Sequence, residues 1–547
     1  MISLFPVVAA VVVVCLCGKL MYSYAAKDAP ILVSWCAFVS WLLSFGIIAI
    51  LPYDVYQALD GKNETDLQFA WDGIYWSVFV LCWVVLPLLQ YYLLAGDFSF
   101  FKRCCSALLV HAWMLALSGA AMAVLVIYLV IAQEMDQQKV YVILMVLSNT
   151  WGLFLVMTLL GYGLVEVPRS FWRKGNMKGY RKFHQYQAYV VNKQKTQAEV
   201  KLIELVKMVL AADVAVSVHD KRYKYIRLLK GKIPTNILND VIASREHESR
   251  LLLDEMKSVK KRRLVKIHKR LKVAIGDHYR AIARWEHHCT RAFHHEDILR
   301  NIRNGRMRIS SSLWPQRSGM CLRTREFIEW MWLTQLRPWV YRAVAVVCAL
   351  VSCVIVIGEG TLYMKLPMGL FQLYESSHGD IQTQLLVCAP LLYIVFCVYF
   401  ALFSLRLAGF YGIYSNNQTD PINMLWCAQF LCQLIAPLCY NFLSLINVTN
   451  TKFSHIMDAI DSMPILGTLF CKYFPLTLVV FSGMNLLQIY TRLLSLLRLD
   501  RFRFSEKYED DRVEEGKERL RMERTAREGK AAGSEQTAAF ISPAASP

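Results

Sequence analysis

Two adjacent pairs of histidines, His287–His288 and His294–His295, are the residue types in this chain that most directly suggest chemistry. A single metal ion needs imidazoles that converge, which on a helix means a spacing of three or four residues. These pairs recur seven apart, about 10 Å along a helix axis at ~1.5 Å per residue. Metal ligation is therefore disfavoured, and histidines on a solvated or phosphate-facing basic helix are expected instead. The sequence has no G-x-x-x-x-G-K-[S/T], no G-x-G-x-x-G following a strand, no G-x-S-x-G and no H-E-x-x-H. No nucleotide loop, nucleophile elbow or zinc-protease pair is thus available. The chain is read as a non-enzyme, with no cofactor.

A second group of polar residues sits inside apolar runs. Gln429 and Gln433 stand one helical turn apart, on a face that continues to Pro437 and Tyr440. Asn485, Gln488 and Arg492 make a similar stripe, and Arg406 follows Ser404 at the end of another run. Polarity facing lipid is costly. Such residues either bond one helix to another, the favoured reading, or line a polar cavity open to the cytoplasm. Gln429, Gln433, Asn485, Gln488 and Arg406 are the candidate lining of that cavity. Pro87, Pro390, Pro437 and Pro475 lie within runs where freed carbonyls would join it. Glu359, between Gly358 and Gly360, is a separate candidate near an outer helix end.

The elements that must carry these residues are membrane spans. The chain of 547 residues is 56% hydrophobic and 19% charged. Apolar runs fall at about Ile2–Tyr22, Pro30–Leu51, Gly73–Ala95, Ser106–Ala132 and Val140–Val165. After a long polar stretch come Trp339–Tyr363, Leu385–Gly409, Ile422–Ile446 and Ile465–Arg492. Each is long enough to cross a hydrocarbon core of ~30 Å. Nine spans follow, five plus four, in an all-α membrane protein.

The polar stretch from Val167 to Pro338 sets the orientation. It holds 38 Lys and Arg against 15 Asp and Glu, more net positive charge than the whole chain at +19. By the positive-inside rule it belongs in the cytosol. The four loops then expected outside carry four lysines, no arginine and eleven acidic residues, the asymmetry the rule requires. The N-terminus is placed outside and the C-terminus inside. The domains are a first block (1–166), a basic insert (167–338), a second block (339–492) and a partly disordered cytosolic tail (493–547). Asn63, in an N-E-T sequon of the longest early exterior loop, is the expected glycosylation site.

The insert reads as helical. Lys195–Leu229 and Thr235–Arg303 suggest a hairpin, broken at Gly231 and Pro234. Along its second arm, Ile267, Leu271, Ala274, His278, Ala281, Trp285, His288, Ala292, His295, Leu299 and Ile302 repeat at steps of four and three, a coiled-coil period. Phe327–Trp339, rich in Trp, suits a helix in the headgroup region that feeds the sixth span. The cluster Lys260, Lys261, Arg262, Arg263 is expected to face anionic inner-leaflet lipids, at about 1 kcal/mol per charge. Nucleic acid is not an expected partner.

Gly163–Trp172 reads G-L-V-E-V-P-R-S-F-W, which resembles the signature closing the fifth span in the LMBR-like family of membrane receptors. Thr419–Leu443 (T-D-P-I-N-M-L-W-C-A-Q-F-L-C-Q-L-I-A-P-L-C-Y-N-F-L) and Glu515–Arg524 (E-G-K-E-R-L-R-M-E-R) are similar to the branch called LMBR domain-containing protein two. Gln433 stands where relatives tend to carry Arg, and the tail is short. The resemblance implies a receptor-like adaptor that regulates G-protein-coupled receptor signalling, with a membrane receptor or cytosolic protein as partner. The alternative is a transporter or uptake receptor for a small cofactor, a lipid or a lipocalin-carried ligand. The cell membrane is the expected residence, an endolysosomal membrane the alternative.

Overall fold

A computed structural model describes residues 4–27, 29–60, 67–133, 140–244, 250–304, 311, 313, 322–361, 380–405, 413, 417–448, 450–457, 468–487 and 510–541. Every regular element among them is helical, with one isolated bridge between Ala25 and Thr419. The first spans are α1 (Leu4–Tyr24), α2 (Ile31–Asp60), α3 (Gln68–Leu94), α4 (Phe100–Gln133) and α5 (Val140–Gly175). The polar insert contains α6 (Met177–Ala215), α7 (Tyr223–Lys230), α8 (Thr235–Ser244), α9 (Arg250–Lys257) and α10 (Lys261–Arg303). Next come α11 (Arg323–Thr361), α12 (Asp380–Leu405), α13 (Pro421–Leu445), the short α14 (Lys452–Met457), α15 (Thr468–Leu486) and α16 (Asp510–Ile541).

Eight of these are long and apolar enough to cross a bilayer. The chain is an all-α, multi-pass membrane protein. The ninth expected span is described only as Thr468–Leu486 and is not among the eight. Both π-helical turns, Leu81–Val85 and Trp332–Leu336, precede a proline, Pro87 and Pro338. A proline strips the bond to the carbonyl four residues back, and a wider turn there absorbs the mismatch. The aromatic stretch Phe327–Trp339 therefore belongs to one continuous helix with the sixth span.

Two helices organise the membrane block. The span α13 packs on α2, α3 and α5, and α5 packs in turn on α11, α12 and α15. The fifth span thus sits among the helices of the second block. Lipid gives helices little hydrophobic reason to associate, so close backbone approach has to supply the contact. Gly161 and Gly163 permit it: a Cβ at Gly163 would collide with the Cys397 carbonyl, and one at Gly161 would crowd Phe481. Gly163 is also the first residue of the signature noted above.

The insert's two arms have other bounds than expected. The first arm ends at Ala215, because Asp220 turns the chain: its carboxylate accepts from the Arg222 N–H at 2.7 Å and from Arg222 Nε at 2.9 Å. The second arm starts at Lys261, leaving three short helices between the arms. The arms α6 and α10 pack along each other, with Val206, Leu210, Leu264 and Leu271 in one apolar cluster. The repeating seam from Ile267 to His295 is the buried face of α10. It then drifts onto Ile298 and Asn301, leaving Ile302 exposed. A straight 3.6-residue helix slips off a seven-residue repeat in this way.

The tail also departs from expectation. The helix α16 runs to Ile541, within the tail expected to be partly disordered, and packs along α6. Val513 and Leu520 are buried there, and a Cβ at Gly516 would collide with the Gln185 carbonyl.

Candidate functional site

The long helix α10 meets the membrane block at the ends of two separate spans and bonds the start of α6 as well. At the C-terminus of α3, the Lys272 Nζ donates to the carbonyls of Leu93 (2.8 Å) and Ala95 (3.2 Å). The last carbonyls of a helix have no partner within it and carry its negative dipole end, so a lysine is well matched to them. Burial, with Arg103 and Lys232 nearby, pushes Lys272 down to about 8. Beside it, the His268 ring stacks on Phe98 at 4.9 Å, with Nδ1 2.6 Å from the Gly96 carbonyl oxygen and Nε2 2.8 Å from Lys232 Nζ.

The second anchor is at the start of α13. Arg280 reaches Asp420 at 3.3 Å and also pairs with Asp277. Asp420 caps α13 by accepting from the Ile422 N–H at 3.3 Å. The third anchor is on the first arm of the insert itself, at the start of α6 just past the end of α5. His295 Nε2 donates to the Met177 carbonyl at 2.9 Å, and His288 Nε2 donates to that of His184, also at 2.9 Å. Nearby, Glu166 of the signature bonds Arg169 at 3.3 Å and pairs with Arg173.

From Val265, against Gly96, to Arg280 is roughly 22 Å along the helix, and to His295 roughly 22 Å more, at ~1.5 Å per residue. The helix α10 therefore lies across one end of the bundle and ties the ends of α3 and α13 to the start of α6. Both span ends are ones the charge pattern assigns to the same side. At the other end, Asp54 of α2 accepts from the backbone N–H groups of Lys452 (3.1 Å) and Phe453 (2.9 Å).

The expected site residues fall in several places. Gln429 accepts from Gln90 Nε2 at 2.9 Å and donates to the Cys82 carbonyl at 3.3 Å, joining α13 to α3. Asn485 donates to the Tyr162 carbonyl at 3.2 Å, joining α15 to α5. The two side chains thus bond to different helices. Gln433 lines a cavity of about 30 Å³ between α2, α3 and α13. Arg406, Gln488 and Asn63 lie outside the described residues. Glu359 is buried, accepts from Asn441 Nδ2 at 2.8 Å, and has no partner for Oε2 among the described residues.

Lys260, Lys261, Arg262 and Arg263 are exposed at the start of α10, with Arg263 paired to Glu255 and Lys261 4.8 Å from the Tyr225 ring. His288 and His295 are not solvated: they pack within the hairpin against His184, at ring separations of 5.3 and 5.7 Å. Among the described residues no three His, Cys, Asp or Glu are grouped as a metal site.

Sequence reasoning missed the third arm of the insert. Arg524 of α16 reaches Asp297 (2.5 Å), Glu296 (3.4 Å) and Glu528 (3.1 Å), and lies over the Phe293 ring. Trp285 Nε1 donates to Glu523 at 3.3 Å. Val513, Gly516 and Leu520, at steps of three and four, were the available signal.

A family model, LMBR1-like membrane protein, matches residues 2–490. The chain belongs to that family. It is 29% identical over 471 residues to LMBR1 domain-containing protein 2 homolog A of Dictyostelium discoideum, covering 84% of this chain and 63% of that protein. It is 28% identical over 478 residues to G-protein coupled receptor-associated protein LMBRD2 of Xenopus laevis, covering 84% of this chain and 67% of the relative. The human protein of the same name is 28% identical over 480 residues, at 84% and 69% coverage. No solved structure matches the chain. Its relatives extend beyond the matched region, which spans about two thirds of their length.

Proposed function

We propose that this membrane protein is a receptor-associated adaptor, with its basic insert in the cytosol and its partner a G-protein-coupled receptor. Both the Xenopus laevis and the human relative carry the name G-protein coupled receptor-associated protein, which supports the partner class. The observation that carries the reading is the placement of α10. A helix seated on the ends of α3 and α13 and on the start of α6 senses the positions of two spans and offers its outer face to a second protein. Lys266, Lys269, Arg270 and Tyr279 are exposed on it. Lys260, Lys261, Arg262 and Arg263 hold the start of that helix against the anionic leaflet.

A carrier finds less support. Gln429 and Asn485 are each engaged by a neighbouring helix, and the cavity beside Gln433 has room for a water or two. The deciding experiment is recovery of co-expressed receptors with the full chain. Lys266→Glu combined with Arg270→Glu is expected to lower receptor recovery about tenfold at unchanged membrane expression. Undiminished recovery, or substrate flux by the purified protein in liposomes without a partner, would refute the adaptor.

A further inference from the structure

The short helix α7 is amphipathic in an unusual sense. Ile226 and Leu229 are buried in the insert's core, while Lys224, Arg227 and Leu228 are exposed on the opposite face. With Lys221 and Val218 before the helix and Lys232 after it, these exposed residues line a concavity of about 850 Å³. One carboxylate lines it too, but Asp220 is already held by Arg222, which keeps its carboxyl low, at about 2. Lys221, Lys224 and Arg227 make no ion pair with a described carboxylate.

The concavity lies beside the membrane edge. Tyr225 of α7 packs on Phe98 at 4.6 Å, in the loop just before α4. Phe100 and Phe101, next in that loop and helix, are 71% and 75% exposed. Val218 and Leu228, on the rim, are 68% and 55% exposed. Uncompensated cations together with bare aliphatic side chains at this level are the residue mix of a surface that meets anionic lipid. The start of α10, next to Tyr225, adds a second imbalance: it has no acidic residue in its first turn, where the helix dipole is positive, yet it opens with Lys261, Arg262 and Arg263.

We propose that the α7 concavity binds a polyphosphorylated headgroup, a polyanion bearing two or more phosphates. Lys221, Lys224 and Arg227 bind the phosphates, while Val218 and Leu228 touch the acyl edge. The proposal rests on the reading that the insert faces the anionic leaflet. Phosphates suit these residues because each lysine contributes a mobile point charge and Arg227 a bidentate fork.

The test uses the purified full-length protein in neutral detergent, with three probes: a short-chain phosphatidylinositol bisphosphate, soluble inositol trisphosphate, and short-chain phosphatidylcholine. Saturable binding of a phosphorylated probe but not of phosphatidylcholine is expected. Lys224→Glu with Arg227→Glu should weaken it at least tenfold. Both side chains are exposed, so unchanged size-exclusion elution is expected to show an intact fold. Lys201→Glu with Arg519→Glu, an equal charge reversal elsewhere, should leave binding unchanged. Lipid bound at least tenfold more tightly than inositol trisphosphate assigns the site to a membrane lipid, and equal affinity to a soluble polyphosphate. Absence of saturable binding, or equal binding by the Lys224/Arg227 variant, would overturn the site. Receptor recovery with the Lys266/Arg270 variant is read separately, so loss of this site and loss of the adaptor reading give different results.

Discussion

In the membrane block Gln429 and Gln90 share one neutral hydrogen bond, whereas in the insert Arg524 faces three carboxylates at once. The same contrast recurs elsewhere. Ser352 meets Tyr393 at 2.7 Å and Asn485 meets a carbonyl, while Lys230 pairs with Asp213 at 2.6 Å and Arg280 with two aspartates. Within a bilayer a charge has nowhere to be hydrated, so polar groups are few, neutral and individually weak. At the water-facing insert, charges are inexpensive to keep and stabilise where they become partly buried and fully paired. The spans are therefore held by shape, and the insert by charge.

The largest effect expected from this contrast is at Asp297. Its side chain is 2% exposed, and Arg524 and Ser311 Oγ are its partners. Arg524→Ala would leave a buried carboxylate without its counter-charge, a change that costs about 3–5 kcal/mol in comparable sites. Release of α16 is expected, read as new protease cleavage within 510–541, with Arg524→Lys partly restoring protection. If cleavage and thermal melting match wild type, the charge network is idle and the contrast fails.

The next effect is on pH. Burial first, and then repulsion from His288 and His295 and from Arg291 and Arg337, pushes His184 down to about 3. Burial also lowers His288 and His295. In the unfolded chain each would take a proton near pH 6.5. Below that pH the unfolded state binds more protons than the folded one, so the histidines' contribution is complete above about pH 6.5 and lost as pH falls toward 3. Each such group tilts stability by up to about 1.4 kcal/mol per pH unit within that window. Hydrogen exchange, corrected for intrinsic rates, should speed up between pH 7 and 5 at residues 180–190 and 285–295, and not along Pro421–Leu445. Equal pH response in both regions would show that the insert does not titrate separately.

The smallest effect belongs to the membrane. Gln90→Leu and Gln429→Leu should each cost little, with a coupling of about 0.6 kcal/mol in a double-mutant cycle, the average for interhelical bonds in lipid. Unfolding in mixed detergent measures it. A coupling several times larger would mean that polar pairs, not packing, hold these spans.

The uneven legibility of the sequence follows from the same contrast. Spans could be read because about twenty apolar residues in a row match the thickness of a bilayer core and are rare in chains that fold in water. The α10 seam could be read because Ile267, Leu271, Ala274 and Trp285 keep a strict period. The arm boundary could not be read as well: Val216, Ser217 and Val218 are compatible with helix, and only the Asp220–Arg222 turn ends it. The docking of α16 was hidden because E-E-G-K-E-R-L-R-M-E-R has balanced charge and a glycine near its start. Gly516 looks like a breaker, yet it is where the helix comes closest to Gln185. Gln429 and Asn485 stand out as polar residues in apolar runs, but a single helix cannot reveal which neighbour each one bonds. Lys272 and Arg280 were lost among the other basic residues of α10, because a span end that needs a counter-charge leaves no mark on the partner's sequence.

The order of elements along the chain gives α16 a role in time. The surface it covers, around Val191 and Phe293, belongs to a hairpin complete by Arg303, and roughly 200 residues containing the second membrane block are made before Asp510. At ~5–20 residues per second the hairpin waits on the order of 10–40 s with that groove bare. A ribosome that stalls, or a chain cut short in the second block, leaves Phe293 and an unpaired Asp297 displayed indefinitely. A helix made after the second membrane block thus reports that the spans before it have been made, and its docking is the point at which a quality-control factor would lose its grip.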